Sequence, residues 1–596
     1  MDAPSVKRTD WWSGCAAVVL LAMAAGQLWW AARLDGLALQ EAGYFANGLY
    51  RWYTGRNGAF RQNPPLGPLL AGWAGALEGV ARDEVLSAPR ASAVGIAVKA
   101  VQAYAEEHWR AVLRGVVRAR LVLAIAYTLA GYALYEWLRR RIGAWRAVMV
   151  LVLWCFSPVL LTSGHLLMAD AWAALIALGG VLTMGSYLER PTWRLASLTG
   201  LLLGLGITTK FTLLALLPVW LMLQSVPWLQ ATQRAGRLVA HSLLSLVLAW
   251  LVLGTAYRFE GVGTVPAVEA FESATLWRYI APNTPDNMPP LWWRTLATLL
   301  PNDFLLGLET QALAFETEKA YMRVGGKWFT VGPPHYYVSQ LVMKDPIGFA
   351  ALWVLLLATA ALVSLCGPYA RRTTAWLPSA LGGLALLLVV STEGRYMAIR
   401  YAWPAYSSIV PLMGLVLHRS GPKTLCAVAA LLVAGLIEAL PHTPRFVGFC
   451  SVAIGGPGDP KGLADAKLTH RGQDLLRLRR WLLHEAPRHA ITHVHLWVIE
   501  PLPAGALCDV RSARDQAPSV RVIRHDNLAP FPGWHVVDRL RLAYALAERQ
   551  EWAAYGMREY LLGIGAFAEL EPEFVVGDSL LVYRVTADDL ARLQTP

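Results

Sequence analysis

Apolar runs near 12–33, 118–138, 145–164, 167–188, 238–257, 346–366, 374–391, 400–417 and 424–441 are each long enough to cross about 30 Å of hydrocarbon. A chain with this many such runs can satisfy its backbone in lipid only as helices. Composition agrees: of 596 residues 56% are hydrophobic and only 16% charged, and mean hydropathy is +0.40. Many tryptophans, including Trp11, Trp12, Trp29, Trp30, Trp137, Trp193 and Trp250, fall near run ends as interfacial anchors do. The net charge of +12 sits largely in short connections such as Arg139-Arg140-Arg141, Arg371-Arg372 and Arg419 with Lys423. That pattern reports orientation rather than nucleic-acid binding. The six cysteines lack metal or disulfide spacing, and Cys15, Cys155, Cys366 and Cys426 lie in apolar segments; Cys450 and Cys508 could pair if their region is exported. Lys7 and Arg8 precede a run too long for a signal peptide and without a clear cleavage site, which reads as a retained first span.

The run 195–223 sets the topology. As one helix it would be about 43 Å long, too long for one upright crossing and too short for two full ones. With Lys7 and Arg8 inside, the positive-inside rule places Arg139 to Arg146 inside and Arg190 with Arg194 inside again. A single crossing then inverts every later loop, whereas two short crossings broken near Lys210 restore agreement. The expectation is a polytopic α-helical membrane protein of about eleven spans over residues 1–441, with loops 34–115 and 258–340 on the outer side.

Residues 64–80 and 92–120 have helical periodicity with mixed apolar and charged faces, which predicts helices along the interface. The loop 258–340 is too long for a simple connection and is expected to be partly helical. Beyond about 442 the pattern changes. THVHLWVIE, SVRVIRH, GWHVVDRL and DSLLVYRV read as strands, and 472–485, 538–551 and 552–563 as helices. Residues 442–596 are therefore expected to form a soluble α/β domain on the outer side.

Chemistry is expected where membrane meets water. Glu41 lies about one helical turn beyond the first span, in LALQEAGYFANGLYRWYTGRNGAFRQNPPLGPLLAG. Asp170 starts the run 167–188, where a carboxylate is either a water-facing helix-terminal charge or functional. Lys210, in the break of GLLLGLGITTKFTLLALLP, either snorkels or meets an anionic ligand. Gly200, Gly204 and Gly206 in the same stretch read as close helix packing rather than a phosphate loop. His335, Tyr336 and Lys344 in HYYVSQLVMKDPIGF, and Arg395, Arg400 and Tyr401 in EGRYMAIRYAWPAY, are commonplace at membrane edges singly. As a set on one surface they could hold a lipid phosphate.

In this order LQEAGYFANGLYRWYTG, NPPLGPLLAG, SPVLLTSGHLLMAD, GLLLGLGITTKF, LLPNDFLLGLE, HYYVSQLVMKDP, RYAWPAY, LADAKLTHRGQDLLRLRRWL and GDSLLVYRV resemble a family. The chain looks like the dolichyl-phosphate-mannose-protein mannosyltransferase superfamily, glycosyltransferase family 39 with the GT-C membrane fold, especially its bacterial polyprenyl-carrier-dependent members. The departures fall in the first loop. Where the family carries Asp-Glu this chain has Gln40-Glu41, a His common three residues later is Tyr44, and the residue before Pro-Pro, often His or Lys, is Asn63. The family's Asp at the position of Gln40 is implicated as the base that activates the acceptor, and glutamine cannot serve as one.

The resemblance implies inverting transfer of a sugar from a polyprenyl-phosphate-linked donor to a protein, lipid or glycan hydroxyl on the outer side of a bacterial inner membrane. Glu41, or failing it Asp170, would be the base. Lys210, Lys344 and Arg400 would hold the departing phosphate, His335, Tyr336 and Tyr401 would orient oxygens, and Gln40 and Asn63 would lie beside them. No cofactor is assigned; a divalent cation is compatible with such families, but the sequence offers too few convergent ligands to place one. The partners expected are the lipid-linked donor, the acceptor and membrane lipids, with no nucleic acid. Two rivals belong to other classes: a catalytically degenerate scaffold that still binds lipid, favoured by Gln40, and a transporter, disfavoured because the sequence has no inverted repeat.

Overall fold

The computed structural model describes residues 5–56, 61–87, 93–229, 235–267, 271–274, 290–317, 322–366, 371–392, 398–418, 420–459, 463–465, 472–498, 520–524, 531–543, 545 and 564–594. Among these, six helices are long and apolar enough to cross a membrane: Trp11–Leu34, Ala169–Glu189, Ala235–Ala256, Ile347–Leu365, Thr373–Thr392 and Pro422–His442. The chain is a polytopic α-helical membrane protein carrying a C-terminal region with a β-sheet.

Nine helices form the first part of the bundle: α1 (Ser5–Leu34), α2 (Leu39–Thr54), α3 (Leu66–Leu77), α4 (Arg82–Ser87), α5 (Ala93–Ile142), α6 (Ala144–Phe156), α7 (Pro158–Ser163), α8 (Ala169–Glu189) and α9 (Trp193–Ile207). The run 118–138 is only the last part of α5, a 50-residue helix with a kink at His108. The run 145–164 is interrupted where Ser157 caps α7 and Pro158 stands at its start, because proline has no N–H to continue α6. The run 400–417 divides likewise into Trp403–Ile409 and Leu412–His418, on either side of Pro411.

The break near Lys210 is present. Helix α9 stops at Ile207, Lys210 is extended, and a 3-10 turn follows over Phe211–Ala215. Thr208 and Thr209 donate their hydroxyls back to Gly204 and Leu205 carbonyls at 3.0 and 2.6 Å, a local alternative to helix continuation. The glycines of α9 are packing positions, as expected: a Cβ on Gly200 would lie 2.5 Å from the Ser245 carbonyl oxygen of helix Ala235–Ala256. Helix α8 is buried almost all round, so it is the centre of the bundle rather than a lipid-facing helix.

Helices α2 and α3 are the two arms of the first loop, and α3 begins after Pro65 with Leu66 N–H bonded to the Thr208 carbonyl at 2.9 Å. That bond ties the first loop to the break beside Lys210. The 258–340 loop is partly helical, with helices Leu291–Leu299 and Asn302–Thr317 and a small hairpin of β1 (Met322–Val324) and β2 (Lys327–Phe329).

The C-terminal sheet runs β4-β3-β5-β7-β6, formed by β3 (His493–Trp497), β4 (Arg521–Arg524), β5 (Gly533–Asp538), β6 (Phe574–Val576) and β7 (Leu580–Val585). Strand β3 is parallel to β4 and β5, and β7 antiparallel to β5 and β6. The four strands expected from the sequence are all present; β6 is additional, a three-residue edge too short to show a period. Helix Leu475–His484 packs its Leu475, Leu478 and Leu482 under the sheet. The expected helix 552–563 and Cys508 lie outside the described residues, and Cys450 is buried.

A candidate carrier-phosphate cavity

A cavity of about 420 Å³ opens between the first loop, the break after α9, helix Asn302–Thr317 and the turn around Arg400. Gln40, Tyr44 and Asn63 line one wall and Lys210, Arg400 and Tyr401 another; Phe211, Leu308, Phe315 and Val389 supply apolar surface. Five residues expected from the sequence, Gln40, Asn63, Lys210, Arg400 and Tyr401, thus line one space.

Behind this wall stands Asp170, fully buried in the first turn of α8, where the helix N-terminus favours a carboxylate. It forms an ion pair with Lys210 and approaches Arg400 Nε at 3.4 Å. Two cations thus share one buried anion at the cavity wall. Tyr401 faces both cations: its ring centroid is 4.2 Å from Lys210 Nζ and 4.5 Å from the Arg400 guanidinium carbon, and its hydroxyl accepts from Arg400 Nη2 at 2.9 Å. On the opposite wall Tyr44 donates its hydroxyl to Asn63 Oδ1 at 2.9 Å. Gln40 Oε1 is buried with no hydrogen-bond partner among the described residues. Among the described lining residues there is no carboxylate.

Glu41 is the main correction. Successive helical residues point about 100° apart, so Gln40 lines the cavity while its neighbour does not. Glu41 is fully buried and both its oxygens are filled. Oε1 accepts from Arg120 Nε at 3.1 Å and Leu167 N–H at 2.8 Å; Oε2 accepts from Arg120 Nη2 at 2.5 Å and Ala38 N–H at 2.9 Å. It caps α2 and neutralises a buried arginine, which leaves it no site for a substrate proton. Arg120 was missed because it reads as one of several basic residues in a mixed helix. Asp170, the other expected base, is buried behind the lining, ion-paired with Lys210 and facing Arg400.

His335, Tyr336 and Lys344 are also elsewhere. His335 is exposed at the start of helix Tyr336–Lys344. Tyr336 is buried and donates to Asp465 at 2.6 Å, and Lys344 is buried and donates to the Val447 carbonyl at 3.1 Å. Both hold the C-terminal region rather than a cavity ligand. Among the described residues no group of three or more His, Cys, Asp or Glu is arranged to hold a metal ion.

The protein is therefore a polytopic membrane protein with an amphipathic, cation-walled cavity beside a broken helix. No protein-family model and no curated protein matches it. Among solved structures it is similar to ArnT from Cupriavidus metallidurans bound to undecaprenyl phosphate, with 14% identity, 97% of this chain and 99% of that chain covered, and a TM-score of 0.46. It is also similar to the oligosaccharyltransferase AglB from Archaeoglobus fulgidus in complex with an inhibitory peptide and a dolichol-phosphate, with 13% identity, 97% and 75% coverage, and a TM-score of 0.44. Likenesses this distant do not single out family 39, and the reading of the site rests on its own geometry.

Proposed function

We propose that this chain is a membrane glycosyltransferase of GT-C type that moves a sugar from a polyprenyl-phosphate carrier to an acceptor on the extracytoplasmic side. The observation that carries this reading is the Asp170–Lys210–Arg400 cluster with Tyr401, set in a cavity whose remaining walls are apolar and amide-rich. A phosphate on an apolar tail needs both features: fixed cations for its charge and apolar surface for the first carbons of its chain. The broken helix supplies the cation at membrane depth without a lipid-facing backbone break, since Thr208 to Lys210 are buried in protein.

In this mechanism the acceptor hydroxyl oxygen bonds to the anomeric carbon as the bond from that carbon to the phosphate oxygen breaks. Lys210 and Arg400 stabilise the departing phosphate, because negative charge grows there, and the phosphate takes up the acceptor's hydroxyl proton. Asp170 holds both cations in place. Gln40 accepts a hydrogen bond from a sugar or acceptor hydroxyl through its unpartnered oxygen. The absence of a carboxylate among the described lining residues favours a second reading, a catalytically degenerate protein that binds the carrier without turnover.

One experiment separates the two. Purified protein incubated with a panel of polyprenyl-phosphate sugars is expected to release polyprenyl phosphate, and Gln40→Asp to keep or raise that rate. Binding without release in the wild type, with release in Gln40→Asp, establishes the degenerate reading. Failure to bind any carrier removes both.

The orientation follows from charge parity: residues 224–237 face the cytoplasm, and 258–340 and 442–596 face outside. Single cysteines introduced as Arg237→Cys and Glu571→Cys in a cysteine-free background are expected to react with an impermeant thiol reagent from opposite sides. Labelling of both from one side refutes this topology.

A further inference from the structure

The region after residue 442 touches the first loop through buried polar groups, beside a stack of Arg479 on Trp109. Arg477, on helix Leu475–His484, reaches Asp35 Oδ1 with Nη2 at 2.6 Å while its Nη1 donates to Asp474 Oδ1 at 2.6 Å. Asp474 is itself fixed by the Asp578 and Ser579 N–H groups and the Ser579 hydroxyl. Beside this pair Gly36 N–H donates to the Gln473 carbonyl at 2.7 Å, and a Cβ on Gly36 would lie 2.7 Å from the Gly472 carbonyl oxygen. The loop and the domain are therefore in backbone contact.

From Asp35 the connection continues inward. Arg120 donates to the Asp35 and Gly36 carbonyls at 2.8 and 2.7 Å, and the same guanidinium clasps Glu41. Glu41 caps α2 one residue from Gln40, which lines the cavity. Asp35, Arg120 and Glu41 are each at most 1% exposed, so water cannot replace a lost partner. His165 faces the second Asp35 oxygen at 3.3 Å, and burial holds its imidazole well below the usual range, so it is not a substitute cation. Burial also pushes the Asp35 carboxyl up to about 6 against the pull of Arg477 and Arg120.

We infer that the C-terminal α/β domain is a clamp on the cavity wall, with Arg477 as a positioning residue that sets the place of Gln40 through Asp35, Arg120 and Glu41. The inference rests on the cavity being the carrier-phosphate site. Its physical basis is that a buried chain of an ion pair and hydrogen bonds transmits displacement: when Arg477 lets go, Asp35 loses its only described guanidinium partner from the domain, and the turn that starts α2 is freed at one end.

The test uses the full chain in detergent, with undecaprenyl phosphate as probe and hydrogen exchange of residues 36–47 as second readout. Arg477→Met is expected to weaken probe affinity of the folded protein about five- to tenfold, a typical coupling between sites, and to speed exchange of residues 36–47. Arg477→Lys keeps the charge but cannot bridge Asp35 and Asp474 together, and is expected to recover part of both effects. Arg488→Met, which removes an exposed pair with Glu485 on the same domain, is expected to change neither. Wild-type affinity and wild-type exchange in folded Arg477→Met overturn the clamp, and if that variant does not fold, the same result in Arg477→Lys does. If the wild type does not bind the probe, the carrier reading fails, and unaltered exchange in the variants then overturns the clamp by itself.

Discussion

Lys210→Ala and Arg400→Ala are each expected to lower affinity for a polyprenyl phosphate by about 100-fold or more. Lys210 and Arg400 both line the cavity and both face the buried Asp170 carboxylate, so each places a cation where a phosphate would sit. Removing either cation leaves Asp170 facing only the other and takes one positive charge from the cavity wall. Each charge-assisted hydrogen bond to phosphate is worth about 1.5–3 kcal/mol, and the loss of a positive charge beside the phosphate comes on top of the lost bond. Arg400→Lys is expected to fall between, because a single ammonium cannot reach Asp170 and the Tyr401 hydroxyl together as the guanidinium does. Asp170→Asn separates anchor from base: an anchor's loss weakens carrier binding, whereas a base's loss spares binding and stops transfer. Titration of the carrier against each purified variant decides the matter, and wild-type affinity in both alanine variants would refute the phosphate assignment.

What could be read from the sequence was set by which signals are local. Six of the nine span-length runs, the break at Lys210 and the four longer strands are local in pattern and are present among the described residues; the runs 145–164 and 400–417 are broken at prolines and 118–138 is part of a longer kinked helix. Gln40, Asn63, Lys210, Arg400 and Tyr401 lie at a run end, before an interfacial helix or at the break in a run, places that a membrane brings to a common level, and they line one cavity. Facing was not legible. Gln40 and Glu41 are adjacent, and nothing in one sequence says which of two neighbours on a helical turn points at a cavity and which at the core. The partner that settles it, Arg120, is 79 residues away. Tyr336 and Lys344 were misplaced for a related reason: they too sit at a membrane edge, but Asp465 and the Val447 carbonyl, both from the C-terminal region, take them away from the cavity.

Glu41→Gln is expected to fail by unfolding rather than by losing a general base. A carboxylate here accepts four hydrogen bonds, two of them from a buried guanidinium. Glutamine offers one acceptor oxygen and turns an N–H donor group toward donors that already point inward, leaving Arg120 charged and uncompensated. Breaking a buried ion pair from one side costs about 3–5 kcal/mol, enough to lower the melting temperature of the detergent-solubilised protein by several degrees. Arg120→Met strands the carboxylate instead and is expected to cost a similar amount. The double variant Glu41→Leu with Arg120→Met removes both charges together, and is expected to recover much of the loss because neither is then left unpaired in the core. A base gives a different pattern: Glu41→Gln would keep the wild-type melting temperature and carrier affinity while transfer falls by about 10²–10⁴-fold. Melting curves for the three variants beside carrier titrations distinguish these outcomes. Wild-type stability in Glu41→Gln would return Glu41 to the catalytic role and require the loop to turn it toward the cavity when substrate binds.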